Sequence, residues 1–178
     1  LQIMPSFDFS YKSVNEKTID TYNWGYDPQN YNIPEGSYST NPYNPLCRIY
    51  EFKKIIQTLH HNNIGVVMDV VYNHCSEEKN NFEKIFPGYY FRLNDDGTFS
   101  KGSGCENDTA SENLMVRKYI LDSVIYLASE YHLDGFRFDL MGIHDTFTMN
   151  MVREVLIKIN PSILIYGEGW NLNTSLPQ

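Results

Sequence analysis

The stretch VVMDVVYNH at residues 66–74 decides the fold of this chain. Its opening residues are apolar and largely β-branched, a pattern typical of a strand buried on both faces of a parallel sheet. Two later runs have the same character and end on an acidic residue, GFRFD at residues 135–139 and ILIYGE at residues 163–168. With the apolar run LQIMP at residues 1–5, they predict four buried strands.

The segments between these strands carry helical signals. Apolar residues recur at helical spacing over residues 48–61. Thr109 and Glu112 have the spacing of a capping box, so we expect a second helix to begin there and run to about residue 131. A third helix is predicted over residues 145–159. The resulting order, β-α-β-α-β-α-β, predicts an α/β fold with a parallel sheet and right-handed crossovers.

A doubly wound sheet and a (β/α)8 TIM barrel both fit this order. The barrel is favoured because polar residues stand at the carboxyl ends of three strands, where barrel enzymes place their reacting groups. These residues are Asn73, His74, Arg137, Asp139 and Glu168. A full barrel needs eight strands, so we expect residues 1–178 to form a partial catalytic barrel whose natural N- and C-terminal parts are missing from the chain.

Two segments are too long for ordinary connections, residues 7–45 and residues 75–108. Loops of this length inside a domain are usually functional or disordered, and the aromatic content of the first segment argues against disorder. The sequence NDDG at residues 94–97 lies between two strand-like runs and predicts a hairpin turn in the second segment.

Composition excludes several classes of function. The net charge of −8 and the lack of a basic patch argue against nucleic-acid binding, and no apolar run is long enough for a membrane span. Cys47, Cys75 and Cys105 form no CxxC pair, so neither a disulfide framework nor a zinc site is supported. His60 and His61 are adjacent and do not share a helix face, so we expect no metal site there.

Asp139 and Glu168 are the strongest candidates for chemistry. Each ends a strand, the two strands are separated by one helix, and retaining glycosidases need two carboxylates about 5–5.5 Å apart. Either carboxylate alone has a structural alternative, as a helix cap or the partner of a lysine. Arg137 lies two residues before Asp139 on the same strand face, where its charge would keep Asp139 ionised. Asp69 would hold Arg137 through a bidentate pair.

The motifs resemble the signature regions of glycoside hydrolase family 13, the α-amylase superfamily. DVVYNH at 69–74 resembles the first region, GFRFDLMG at 135–142 the second and GEGW at 167–170 the third. YNWGYDP at 22–28 resembles the hallmark of the type I pullulanase group, and NDTASE at 107–112 is also similar to that group. The family's strands would then be about the second to the fifth, with residues 75–108 as the insertion after the third.

The resemblance implies a role for each matching residue. Asp139 would be the nucleophile, Glu168 the general acid and base, and Arg137 the support of the nucleophile. His74 would contact the sugar. Its residue type and position at a strand end suggest by themselves that it donates a hydrogen bond to a sugar hydroxyl. The expected sugar-stacking residues are Tyr26, Trp24 and Trp170.

The sequence departs from the family pattern in two places. The family's third carboxylate lies beyond the end of this chain. Glu106 stands where GSGC-ND segments of the family are expected to have glycine. Asn73 matches a position linked to calcium in some amylases, so calcium is possible although no cofactor is expected to be required.

The expected function is retaining hydrolysis of α-1,6 branch linkages in pullulan, amylopectin or limit dextrins. Two alternatives stay open. One is a different family 13 enzyme, either an isoamylase-like debrancher or an α-1,4-acting amylase or neopullulanase. The other is an α-glucan-binding protein with a decayed site, against which the retained Asp139, Arg137 and Glu168 argue. Oligomeric state and compartment are not indicated by the sequence.

Overall fold

The computed structural model describes residues 1–16, 18, 21–77, 80–170 and 172. In chain order its elements are β1 (Gln2–Ile3), β2 (Phe7–Phe9), β3 (Pro28–Pro34), α1 (Pro45–His61), β4 (Val67–Val70), α2 (Asn81–Ile85), α3 (Leu114–Glu130), β5 (Gly135–Phe138), α4 (Thr146–Ile159) and β6 (Leu164–Gly167). Among these described elements, no helix is long and apolar enough to cross a membrane.

The central sheet is parallel, as the sequence predicts. Its strand order is β1-β4-β5-β6, which follows the chain without the reversal that marks a doubly wound sheet. Gln2 of β1 accepts a hydrogen bond from the Tyr166 hydroxyl of β6 at 2.8 Å, although two strands lie between them. Three strand spacings of about 4.8 Å separate the edges of a flat sheet, so this contact shows a curved sheet, consistent with part of a barrel.

The three long helices lie where the periodicity predicts them. Helix α1 begins earlier than predicted because the Asn44 side chain caps it, accepting from Leu46 N, and Pro45 occupies its first position. Asp145 caps α4 in the same way, accepting from Thr148 N at 2.9 Å.

The predicted capping box of Thr109 and Glu112 is wrong. Helix α3 begins at Leu114 after Asn113, which makes no side-chain cap bond. Thr109 is fully buried and its backbone N–H donates to Asn73 O at 2.9 Å, so it belongs to the segment packed on the end of β4. Glu112 accepts two hydrogen bonds from Arg92, each 2.9 Å long, and is not available to cap a helix.

The long loops contain structure that periodicity does not reveal. Strands β2 and β3 form an antiparallel ribbon with two register shifts, so no clean alternation marks them. In the second segment, Leu93 and Phe99 form a bridge around Gly97, whose φ of +80° confirms the predicted turn.

The core lies between the sheet and the helices. It is formed by buried apolar side chains from both layers, including Val66, Met68, Val70, Val116, Ile120, Val124, Phe136, Phe138, Val152 and Leu156. Side chains of this size contribute about 1.5–3 kcal/mol each when fully buried. The core therefore fixes β4 and β5 firmly, and these strands end at the candidate site.

Candidate active site

Strand register brings the first pair of site residues together. Asp69 on β4 lies directly beside Arg137 on β5. One guanidinium nitrogen, Nη1 of Arg137, donates to both oxygens of Asp69 at 2.9 Å. Asp69 is fully buried, so an unpaired charge there would be costly, and the pair satisfies it.

Arg137 also reaches both candidate catalytic carboxylates. Its Nη1 donates to Asp139 Oδ1 at 3.1 Å, and its Nη2 donates to Oε1 of Glu168. One guanidinium thus spans the carboxyl ends of three neighbouring strands. The predicted cluster of Asp69, Arg137, Asp139 and Glu168 is assembled in the structure.

The electrostatics of this cluster follow from burial and from its charges. Burial by itself would lower the pKa of Arg137. The hydrogen bond and charge of Asp69, followed by the charges of Glu168 and Asp139, outweigh burial and raise the pKa above its usual value, so the guanidinium stays charged. Burial also raises the pKa of Asp69, against the opposing hydrogen bonds from Arg137 and Tyr26. A permanent cation therefore sits among three carboxyl groups.

Asp139 and Glu168 differ in their surroundings. The Asp139 side chain is 11% exposed, whereas that of Glu168 is 30% exposed. Leu140, directly after Asp139, has φ +41° and ψ +51°, and its backbone N–H donates to Glu168 Oε2 at 3.2 Å. A left-handed conformation is unfavourable for leucine, and such strain concentrates at functional sites.

His74 joins the cluster through Asn73. The Asn73 amide nitrogen donates to Asp139, and its Oδ1 lies 2.5 Å from His74 Nδ1. Burial lowers the pKa of His74, while the charge of Asp139 and the Tyr26 carbonyl oppose that shift.

The predicted aromatic residues divide into two groups. The Tyr26 hydroxyl donates to Asp69 Oδ2 at 2.9 Å, and burial together with this bond raises the pKa of Tyr26 to about 12. Trp24 and Trp170 are 64% and 61% exposed, with their rings open to solvent. Only Tyr26 is therefore tied to the cluster by a hydrogen bond in the described part of the chain.

Sequence reasoning missed three contributors to this site. The sequence places Asn73 at a strand end but does not indicate its contact with Asp139, and it does not indicate the contact of the Leu140 backbone N–H with Glu168. Gln2 Nε2 also donates to Asp69 Oδ2, at 3.4 Å. The position of Asn73 at a strand end is the signal that could have found it. The Leu140 contact has no such signal, because every residue except proline carries a backbone N–H.

Residues that could hold a metal lie elsewhere. Within the described residues, one acidic group, Asp8, Glu16 and Glu35, has carboxylate oxygens within 4.8 Å of one another. Arg48 pairs with Asp8 at 3.0 Å and with Glu16 at 2.9 Å, which supplies a counter-charge without an ion. The Asn73 amide oxygen, at the position linked to calcium in some amylases, lies 2.5 Å from the ring nitrogen Nδ1 of His74.

Known proteins resemble this chain closely. A family model for the α-amylase catalytic domain matches residues 10–96. The pullulanase of Bacillus subtilis is 47% identical over 178 residues, covering 99% of this chain and 25% of that protein. The chloroplastic pullulanase 1 of Arabidopsis thaliana is 42% identical over 165 residues, covering 85% of this chain and 17% of that protein.

Solved structures agree with these matches. A crystal structure of the pullulanase from Paenibacillus barengoltzii, in complex with maltohexaose and α-cyclodextrin, has a TM-score of 0.96 and 54% identity. The match covers 99% of this chain and 28% of that chain. The chain spans about a quarter or less of the length of the curated relatives named here. The signature motifs, the parallel sheet that presents them and these matches show that the chain belongs to the α-amylase superfamily, glycoside hydrolase family 13, with a similarity to pullulanases over almost all of its residues.

Proposed function

We propose that the protein containing these residues is a debranching enzyme that hydrolyses α-1,6-glucosidic linkages with net retention. The observation that carries the proposal is the single guanidinium of Arg137, which holds Asp139 and Glu168 at the ends of neighbouring strands. The pullulanases named above are similar to this chain throughout the segment that builds this cluster.

The two carboxylates suit different steps of a retaining mechanism. Asp139 is the more buried, and hydrogen bonds from Arg137 and Asn73 hold its carboxylate in one orientation, as a nucleophile needs. It attacks the anomeric carbon, the glycosidic C–O bond breaks, and Glu168 gives its proton to the leaving oxygen. Glu168 then takes a proton from water, the water oxygen attacks the anomeric carbon, and the Asp139 carboxylate leaves.

The acid role of Glu168 requires a change from the arrangement described here. Its Oε1 accepts a hydrogen bond from Arg137, so Glu168 must release the guanidinium before its carboxyl group can reach the leaving oxygen. Its greater exposure is consistent with such movement. We propose that substrate binding causes this movement of Glu168. We also propose that residues 1–178 are a partial catalytic barrel with an insertion over residues 75–108, and that a third carboxylate comes from outside these residues.

Substrate contacts are proposed for the remaining site residues. Tyr26 is held by Asp69 at the edge of the cluster, where its ring would stack under the sugar in the cleaved subsite. Trp24 and Trp170 expose flat apolar surfaces of the kind that stack on pyranose rings. His74 would contact a sugar hydroxyl. No metal is needed for any of these steps.

Pullulan separates the alternatives, because its α-1,6 and α-1,4 linkages give different products. The full-length protein is expected to release maltotriose, and Asp139→Asn is expected to abolish this release. Asp134→Asn is the matched control, because Asp134 precedes the same strand at its opposite end, where it accepts from Val66 N at 2.6 Å. Panose or isopanose would instead indicate α-1,4 cleavage, and glucan binding without any hydrolysis would indicate a binding protein.

A further inference from the structure

Asn73 contacts the Asp139 residue at two points. Its Nδ2 donates to the backbone oxygen of Asp139 at 2.9 Å and to the carboxylate Oδ2 at 2.8 Å. Arg137 donates to the other carboxylate oxygen, Oδ1. The two carboxylate oxygens of Asp139 are thus held by two different donors, Arg137 on β5 and Asn73 in the segment that follows β4.

The orientation of the Asn73 amide is determined by its partners. A backbone carbonyl and a carboxylate only accept, so the nitrogen end must face Asp139 and the oxygen end must face His74. His74 Nδ1 therefore carries the hydrogen in this contact. Asn73 is fully buried, and its backbone oxygen accepts from Thr109 N at 2.9 Å. This bond fixes the backbone that carries the Asn73 side-chain amide.

We propose that Asn73 is a positioning residue for the hydrolysis proposed above, because it holds the Asp139 carboxylate aligned for attack and links it to His74. This inference rests on that proposed function. The amide replaces one hydration contact of a buried carboxylate, and a hydrogen bond to the charged form favours that form. The other titratable groups around this carboxylate are Arg137, Asp69, Tyr26, His74, Cys105 and Glu168.

The test is the pH dependence of kcat/KM on pullulan for the full-length protein carrying Asn73→Ser or Asn73→Asp. Loss of a hydrogen bond to a charged group is expected to lower kcat/KM about 10- to 100-fold. The acid limb of the pH profile, where kcat/KM falls as the pH drops, is expected to move to higher pH. The Asp139 carboxylate takes up a proton more readily without the Asn73 donor. The shift should be larger for Asn73→Asp, which places a second carboxylate against Asp139.

Asn30 provides a matched control. Its Nδ2 donates to Asp8 Oδ2 at 2.7 Å, and Asp8 is also held by an arginine, Arg48, so the contact has the same chemistry away from the site. Asn30→Asp is expected to lower the thermal midpoint while leaving the acid limb at its wild-type position.

The possible results separate this inference from the proposed function. If the wild-type protein hydrolyses pullulan but both folded Asn73 variants keep the wild-type acid limb, the inference is wrong. If only Asn73→Ser folds, the inference is supported when the acid limb of that variant lies at higher pH than the wild type's, and it is wrong when the two coincide. Failure of both variants to fold would also contradict the inference, because Asn73 would then serve the fold. If the wild type hydrolyses no α-glucan, the proposed function is wrong and the inference falls with it.

Discussion

At the residue scale, the guanidinium of Arg137 holds the site together through hydrogen bonds to Asp69, Asp139 and Glu168. The position of Arg137 two residues before Asp139 puts both side chains on one strand face, and strand ends in a parallel sheet share an edge. The contacts of Asn73 with Asp139 depend instead on how the chain turns after β4, which residue type and spacing do not specify.

His144 gives a residue-scale prediction about pH. It is buried, and neither ring nitrogen has a hydrogen-bond partner among the described residues. Burial, and secondarily Arg92, lowers its pKa from 6.5 to about 4, against the opposing charge of Asp145. Between those values the unfolded chain binds more protons, so stability is complete above pH 6.5 and falls as the pH drops toward 4, by about 3 kcal/mol in all.

The measurement is the unfolding free energy of the full-length protein against pH, compared with His144→Leu. The variant cannot take up this proton, so the difference between the two curves should change across the interval from pH 6.5 to 4. Parallel curves would show that His144 does not titrate in this way.

Glu106 gives a second prediction at this scale. It has φ +71°, a conformation that suits the glycine expected from the family pattern. Replacing it with glycine is expected to stabilise the protein by about 1 kcal/mol, because a left-handed conformation costs a non-glycine residue roughly that amount. Its ion pair with Lys101 is exposed and offsets little of this gain.

Gly104 tests the same cause with the opposite sign. It has φ +75°, and a Cβ added there would meet no atom within 4 Å, so Gly104→Ala isolates the backbone cost. Thermal melts should show a higher midpoint for Glu106→Gly and a lower one for Gly104→Ala. A lower midpoint for Glu106→Gly would mean that the Lys101 pair outweighs the backbone strain.

At the scale of elements, the spacing of β5 and β6 positions Glu168. A Cβ on Gly167 would lie 2.6 Å from the Phe138 carbonyl oxygen and 2.8 Å from Met141 Sδ. That carbonyl accepts the Glu168 N–H at 3.2 Å, so the clash falls on the contact that places the carboxyl. Gly167→Ala is expected to lower kcat by about 100-fold, the scale that a 1 Å displacement can cause.

Gly169→Ala is the companion variant, because a Cβ there meets no described atom within 4 Å. Its thermal midpoint should match the wild type, whereas that of Gly167→Ala should fall. Turnover of pullulan by Gly167→Ala at the wild-type rate would show that strand spacing does not position Glu168.

The elements also show where local patterns mislead. Buried strands and periodic helices were predicted because burial imposes a repeat on the sequence. The β2–β3 ribbon was missed because its register shifts remove that repeat, and Asn32 at φ +65° interrupts β3. The capping box failed because Glu112 was already paired with Arg92, a contact between distant residues that no local spacing reveals.

At the scale of the whole molecule, the sheet has two unpaired edges within the described residues, β1 and β6. Leu164 and Tyr166 on β6 are 56% and 43% exposed, which is unusual for a strand of a parallel sheet. We expect the isolated 178-residue chain to be marginally folded, prone to aggregate and inactive. A cooperative thermal melt with a native-like near-UV signal would contradict this expectation.

The proposed mechanism requires that Asp139 becomes glycosylated during turnover. The most direct measurement is peptide mass mapping of full-length Glu168→Gln after reaction with α-maltotriosyl fluoride, whose leaving group needs no acid. Without a base to activate water, the intermediate should accumulate, and we predict one maltotriosyl unit on the peptide that contains Asp139. Fluoride release with an adduct on another residue, or with no adduct, would contradict the role of Asp139 as the nucleophile.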